Sequence, residues 1–273
     1  MRPDPVRLTA GAAVVSTAAL TAAVAGGWLG ADIGAGAQFC EAAHAHVRQP
    51  VNSLTNAGFV VAGLAVAVRT RRGALGTGAL GRWPALATAY AVLVVLLGPG
   101  SAALHATGTA LGGGIDVLSM YAVAAFALGF AVLRRSAGGP ATMAVTAVAA
   151  LGVQVAADVG GWSAPVVHTA GNLAFGAVLL AAVVVEARTR TDRDRLWLAA
   201  ALSSLVAAFA IWTTGSTGSA WCFPDSVYQG HGVWHLLCAL AAWCLFRLWA
   251  SERSAVSSPR VSAPPSRDVA ALA

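Results

Sequence analysis

Eight stretches of this chain are apolar for long enough to cross a bilayer, which takes about 20 residues of helix, and no other feature limits the fold so strongly. They lie at about 8–29, 51–68, 83–106, 115–133, 141–159, 164–187, 196–214 and 230–250. Of the 273 residues 58% are hydrophobic and 10% charged, where soluble domains carry roughly 25% charged residues. The chain reads as an integral membrane protein. Within lipid only helices and closed barrels satisfy every backbone group internally. The alternating segments of about ten residues that mark a barrel are absent, so the expected fold class is all-α and polytopic.

The net charge of +6 does not point to nucleic acid, because its placement follows the membrane pattern. All basic residues are arginine. Arg2 and Arg7 precede the first helix, and Arg69, Arg71, Arg72 and Arg82 fill the second connection. Arg134 and Arg135 fill the fourth, Arg188, Arg190, Arg193 and Arg195 the sixth, and Arg247, Arg253, Arg260 and Arg267 mark the C-terminal end. The intervening connections, near 30–50, 107–115, 160–163 and 215–229, contain only Arg48. By the positive-inside rule both termini are expected in the cytoplasm and those four connections outside. Trp162, Trp221 and Trp234 fall at the outer interface, where aromatic belts form.

Residues 1–37 form a separate N-terminal hydrophobic segment. It reads as an extra membrane helix, with a signal peptide cleaved near Ala35-Gly36-Ala37 as the alternative. A seven-helix domain is expected over 38–252, and the Ser-, Pro- and Arg-rich stretch 253–273 is expected to be a disordered cytoplasmic tail. Cys40 and Cys222 both lie in outward-facing segments, where oxidation is permitted, and are disulfide candidates. Cys238 and Cys244 sit inside the last helix and read as packing thiols.

Ionisable groups inside membrane helices cost a few kcal/mol on insertion scales, and by default they face a cavity or a partner. Ser101 and His105 are spaced i, i+4 near the outer end of the third helix, and so share a face. Asp116 is expected to begin the fourth helix after the turn LGGGI. His231 and His235 repeat the i, i+4 spacing in the first turns of the last helix. The topology, assigned from arginines alone, puts all five at one membrane level. Three imidazoles with an open fourth position suit a catalytic zinc site, which lowers the pKa of bound water to near 7. Asp116 is then the candidate to handle that water's proton, and Ser101 to donate to a developing oxyanion.

Each part has a plainer reading. An H-x-x-x-H pair at an interface can meet water and headgroups, Ser101 can bond its own helix backbone, and Asp116 can cap a helix. His44 and His46 lie in the first outer loop, and His168 in an outer turn where it lines the cavity or packs at the interface. Asn52, Ser53 and Asn56 read as capping the second helix or lining the cavity entrance. Asp158 falls near an outer helix end, and Glu186 at an inner end next to Arg188.

The order FCE, NSLTN, GSxxxH, an Asp eleven residues after that His, and a final HxxxH resembles the alkaline ceramidase family. That family belongs to a superfamily of seven-helix membrane hydrolases that also includes the adiponectin-receptor-like proteins. The resemblance covers about residues 38–250. It implies His105, His231 and His235 as zinc ligands, Asp116 and Ser101 as catalytic residues, and a Cys40–Cys222 disulfide. It also implies calcium near the FCE motif. Here Glu41 remains beside Gln38, Ala42, Ala43 and Gln49, so Glu41 is left as a weak calcium candidate, since calcium takes six to eight oxygens.

The expected activity is zinc-dependent hydrolysis of the linear amide of ceramide or another N-acylated lipid, releasing fatty acid and an amine. A noncatalytic lipid receptor of the same fold is the alternative. The lysine-free, Ala-, Gly- and Arg-rich composition points to a high-GC bacterium, and hence to its cytoplasmic membrane with the active site on the extracytoplasmic side. The expected partner is a membrane lipid, and no nucleic acid is expected.

Overall fold

The computed structural model describes residues 3–189 and 193–253. Arg2, Arg190 and the expected tail beyond Arg253, with Arg260 and Arg267, lie outside the described residues. Among these, eight helices are long and apolar enough to span a membrane, and the protein is an all-α polytopic membrane protein.

Helix α1 (Pro5–Gly26) starts where Asp4 accepts hydrogen bonds from the amides of Val6 and Arg7 and Pro5 supplies a preset φ. It ends at Gly27, whose φ of 64° is a left-handed cap. It packs against α3 (Ala57–Arg71) and α5 (Pro84–Thr107) but buries only Thr9 and Ala13. The second span is made of α2 (Pro50–Thr55) followed directly by α3, and the four-residue α4 (Ala79–Arg82) leads into α5.

Pro99 sits inside α5 between Gly98 and Gly100. A Cβ on Gly98 would lie 2.9 Å from Val60, and one on Gly100 2.9 Å from Ser119. These glycines let α3 and α6 (Ala110–Leu133) approach α5 three residues and one residue before Ser101 respectively. Small residues do this work between membrane helices, because lipid gives no hydrophobic drive to associate.

Two expected boundaries are corrected. Asp116 does not begin its helix: Gly108, with φ of 65°, ends α5, and the Thr109 hydroxyl accepts from the Gly112 amide to start α6 at Ala110. The glycine run is therefore helical, and Asp116 lies on the second turn. The span expected at 164–187 is α8, Ala170–Arg188. Ser163–Ala164 (β1) pairs antiparallel with His168–Thr169 (β2), because Pro165 lacks a donor and Val166 and His168 take positive φ. Thr169 then caps α8 through the Asn172 amide.

Helices α7 (Gly139–Val159), α8, α9 (Leu196–Thr214) and α10 (Gly230–Ala250) complete the bundle. Helix α8 packs on α6 and α7, and α9 packs on α10. Tyr90, Phe126, Phe130 and Trp249 form an aromatic core in the half remote from the histidines, with Trp249 4.5 Å from Phe130 and 5.0 Å from Tyr90, centroid to centroid.

Beside that core, Glu186 is buried among charges. Arg134 reaches its two carboxylate oxygens at 2.7 and 2.5 Å, Arg193 pairs with it too, and the Trp249 indole donates to it at 2.9 Å. Arg134 Nε also meets Glu252 at 3.0 Å. Burial alone would lower the Arg134 pKa, but Glu186 and Glu252 hold it above the ordinary value. Arg188, the neighbour expected for Glu186, is exposed instead. Residues two apart on a helix do not face each other.

The opposite end of the bundle is closed by loop against loop. Asp32 bridges Thr109, Phe39 bridges Ser216, and the Ala42 amide donates to Pro224. Cys40 and Cys222 form a disulfide, with Cα atoms 5.3 Å apart.

Candidate metal centre

The last two turns of α5 carry Ser101 and His105, and the first two turns of α10 carry His231 and His235. All four are buried. Each helix supplies its pair at i, i+4, and the packing turns both pairs toward one point. The ligand atoms of His105, His231 and His235 lie within 4.8 Å of one another, the only such group among the described residues. His105 Nε2 and His231 Nε2 are 3.2 Å apart.

Hydrogen bonds assign two of the tautomers. The Gln49 amide nitrogen donates to the Gly36 and Phe39 carbonyls, so its oxygen faces His105 Nδ1 at 2.7 Å and must accept from it. The Thr55 hydroxyl donates to the Asn52 carbonyl and therefore accepts from His235 Nδ1 at 3.1 Å. Both rings thus turn Nε2 lone pairs inward. Lone pairs gathered in a buried space call for a cation. Two nitrogens held at 2.0–2.1 Å around tetrahedral zinc lie about 3.3 Å apart; the His105–His231 pair stands at 3.2 Å, and with all three ligand atoms inside 4.8 Å the set could hold a metal ion and is compatible with zinc.

Asp116 is buried, its Oδ1 has no hydrogen-bond partner, and Ser101 adjoins its carboxylate. Both residues line a cavity of about 660 Å³ together with His231 and His235. The cavity lies between α6, α8 and α9 and is walled mostly by apolar side chains. A void of about 110 Å³ shares Ser101, His235, Met120 and Phe175 with it and continues along α8 and α10 as far as Glu186. The site offers three imidazoles, an unpartnered carboxylate oxygen and a hydroxyl beside an apolar slot.

A family model described as Ceramidase matches residues 33–262. The chain belongs to the ceramidase family. No curated protein matches it significantly. The match to the ceramidase model begins after α1, so the seven spans that follow are the ones it covers.

In this ceramidase-family chain the residues singled out in the sequence fall into two groups. Ser101, His105, Asp116, His231 and His235 come together, whereas His44 and His46 are exposed in the first loop and outside the cluster. His168 lies exposed at the cavity rim, with its ring 5.2 Å from Trp212. Asp158 also lines the rim and accepts from the Tyr121 hydroxyl at 3.3 Å. Glu41 serves as the cap of α2: its two oxygens accept from the Val51 and Asn52 amides at 2.6 and 2.8 Å. Of the two readings of Asn52, Ser53 and Asn56, capping that helix or lining the cavity entrance, side-chain capping is not what these residues do. Instead Asn52 donates to the Gln49 side chain, Ser53 to the Gln49 carbonyl and Asn56 to the Asn52 carbonyl.

Sequence reasoning missed Gln49, Thr55 and Phe39 in their roles around the histidines. Gln49 stands 56 positions from His105, and Thr55 stands 180 from His235. No local spacing signals such partners; only the NSLTN and FCE motifs flagged their neighbourhood.

Proposed function

We propose that this protein is a zinc-dependent hydrolase of the linear amide bond in ceramide or a related N-acylated lipid. The observation that carries the reading is the convergence of three inward-facing imidazoles with Asp116 and Ser101 beside an apolar slot, in a ceramidase-family chain. His105, His231 and His235 are the proposed metal ligands. Zinc bound there supplies a polarised water near neutral pH and a Lewis acid for the carbonyl.

Asp116 takes the proton from the attacking water, whose oxygen bonds to the acyl carbon. The Ser101 hydroxyl donates to the carbonyl oxygen as it gains negative charge. Asp116 then returns the proton to the leaving nitrogen as the carbon–nitrogen bond breaks. Fatty acid and amine result, and one water is consumed. The slot between α8 and α9 holds an acyl chain, its apolar wall replacing the lipid the chain leaves. The arginine distribution supports a site on the extracytoplasmic side of a bacterial cytoplasmic membrane, with the C-terminus in the cytoplasm.

The test is elemental analysis of detergent-purified protein, followed by assay of defined N-acyl lipids. We expect about one zinc per chain, lost in His231→Ala, and release of fatty acid by the wild type. Asp116→Asn is expected to keep its zinc and lose turnover by roughly 10²–10⁴-fold. Lipid bound without release of fatty acid would favour the receptor reading, and near-normal turnover in Asp116→Asn would remove the role given to Asp116.

A further inference from the structure

The three histidines are not held alike. Metal-ligating histidines almost always donate their second ring N–H to a carbonyl, carboxylate or water, which fixes the ring and its tautomer. His105 has Gln49 for this and His235 has Thr55. His231 Nδ1 is buried with no hydrogen-bond partner. What the His231 ring has is a face-to-face neighbour: the Phe39 ring lies 3.6 Å away, centroid to centroid, at an interplanar angle of 23°.

We propose that Phe39 is the positioning residue for His231, orienting the imidazole by stacking where its two companions are oriented by hydrogen bonds. The inference rests on the metal reading above. Stacking can do this only if the aromatic ring is itself immobile, and Phe39 is fastened from several sides. Its amide donates to the Gly36 carbonyl, its carbonyl accepts from Gln49, and its backbone bridges Ser216. The next residue, Cys40, is covalently tied to Cys222. Phe39 also lies 5.3 Å from the His105 ring, covering the two imidazoles whose Nε2 atoms meet.

The placement has a wider consequence. The segment from Gly36 to Glu41 touches the apparatus of every ligand: Gly36 and Phe39 anchor the Gln49 that holds His105, Phe39 holds His231, and Glu41 caps the α2 helix that carries Thr55 to His235. A loop outside the spans therefore sets the geometry of ligands that lie within them.

The experiment compares full-length, detergent-purified wild type with Phe39→Leu and Phe39→Tyr. Leucine keeps apolar bulk without the ring, and tyrosine keeps the ring. The readouts are zinc affinity by competition with a chromogenic chelator and the visible spectrum of the cobalt-loaded protein, which reports ligand geometry independently of turnover. Phe39→Leu is expected to weaken zinc binding roughly 10- to 100-fold, the usual loss when a ligand's supporting residue is removed, and to alter the cobalt bands. Phe39→Tyr is expected to match wild type in both. Should Phe39→Leu fail to fold, Phe39→Met carries the same expectation. Wild-type affinity and spectrum in the ring-less variant would overturn the proposal, as would equal loss in the leucine and tyrosine variants. A wild type that binds neither zinc nor cobalt would instead remove the metal reading itself, and the proposal with it.

Discussion

Gln49 faces two ways with one amide. Its nitrogen is taken up by the Gly36 and Phe39 carbonyls, which leaves its oxygen for His105 Nδ1 at 2.7 Å. Gln49→Leu removes that acceptor, frees the His105 ring and leaves a buried N–H without a partner. Zinc affinity is expected to fall roughly 10- to 100-fold, measured by chelator competition. Gln49→Glu keeps an acceptor at the same reach and is expected to retain zinc better than the leucine variant. Nothing in the sequence distinguishes Gln49 from any other loop glutamine. A supporting hydrogen bond leaves no spacing pattern when its members come from different elements. The ligands themselves were readable, since i, i+4 pairs on two helices announce a shared face.

At the scale of the helix, glycine has two meanings, and the solvent decides between them. The run Gly112-Gly113-Gly114 reads as a turn by soluble-protein rules. Here it lies within α6, because Gly is common in membrane helices and serves close packing there. A Cβ on Gly112 would meet the Ala103 carbonyl and the Thr107 hydroxyl at 2.7 Å, whereas nothing lies within 4 Å of one on Gly114. Gly112→Ala is therefore expected to push α5 from α6 and lower stability by about 1–3 kcal/mol, as overpacking does. Gly114→Ala is expected to leave the melting temperature unchanged or raise it, by at most about 1 kcal/mol from helix propensity. Thermal unfolding in detergent compares the two. The first change also moves Asp116 relative to Ser101, so its turnover should fall with its stability.

For the whole molecule, the two ends of the bundle are held by different means. The histidine end is closed by loops and a disulfide, and the remote end by Glu186 with Arg134, Arg193 and the Trp249 indole, joining α6, α8 and α10. Between them the slot runs along α8, which packs chiefly on α6 and α7. The charged cluster thus ties the base of α8 to α10 and to the end of α6. Removing one member of a buried ionic group strands the others, so Glu186→Gln is expected to cost about 3–5 kcal/mol, read as a lower melting temperature. Its zinc content should stay at the wild-type level, since the cluster shares no residue with the metal centre.

The sequence by itself determined the class of fold and the number of spans, and it set Ser101 with His105, and His231 with His235, on shared helix faces. These follow from terms that act locally or along the chain: the cost of placing charge and unpaired backbone in lipid, and the periodicity of a helix. Expectations failed where two local rules competed, as at Asp116, where glycine flexibility was weighed above glycine packing, and at Pro165–His168, where apolar content hid a hairpin. Only the tertiary structure decided that Gln49, Thr55 and Phe39 attend the histidines, that Glu41 caps a helix, and that Glu186 belongs to Arg134 and Arg193. Each is a contact between residues distant in the chain or on crossing elements, made when helices with near-uniform apolar surfaces settle in one arrangement. Helix periodicity does not encode that arrangement, because in lipid the steric fit of small side chains selects it.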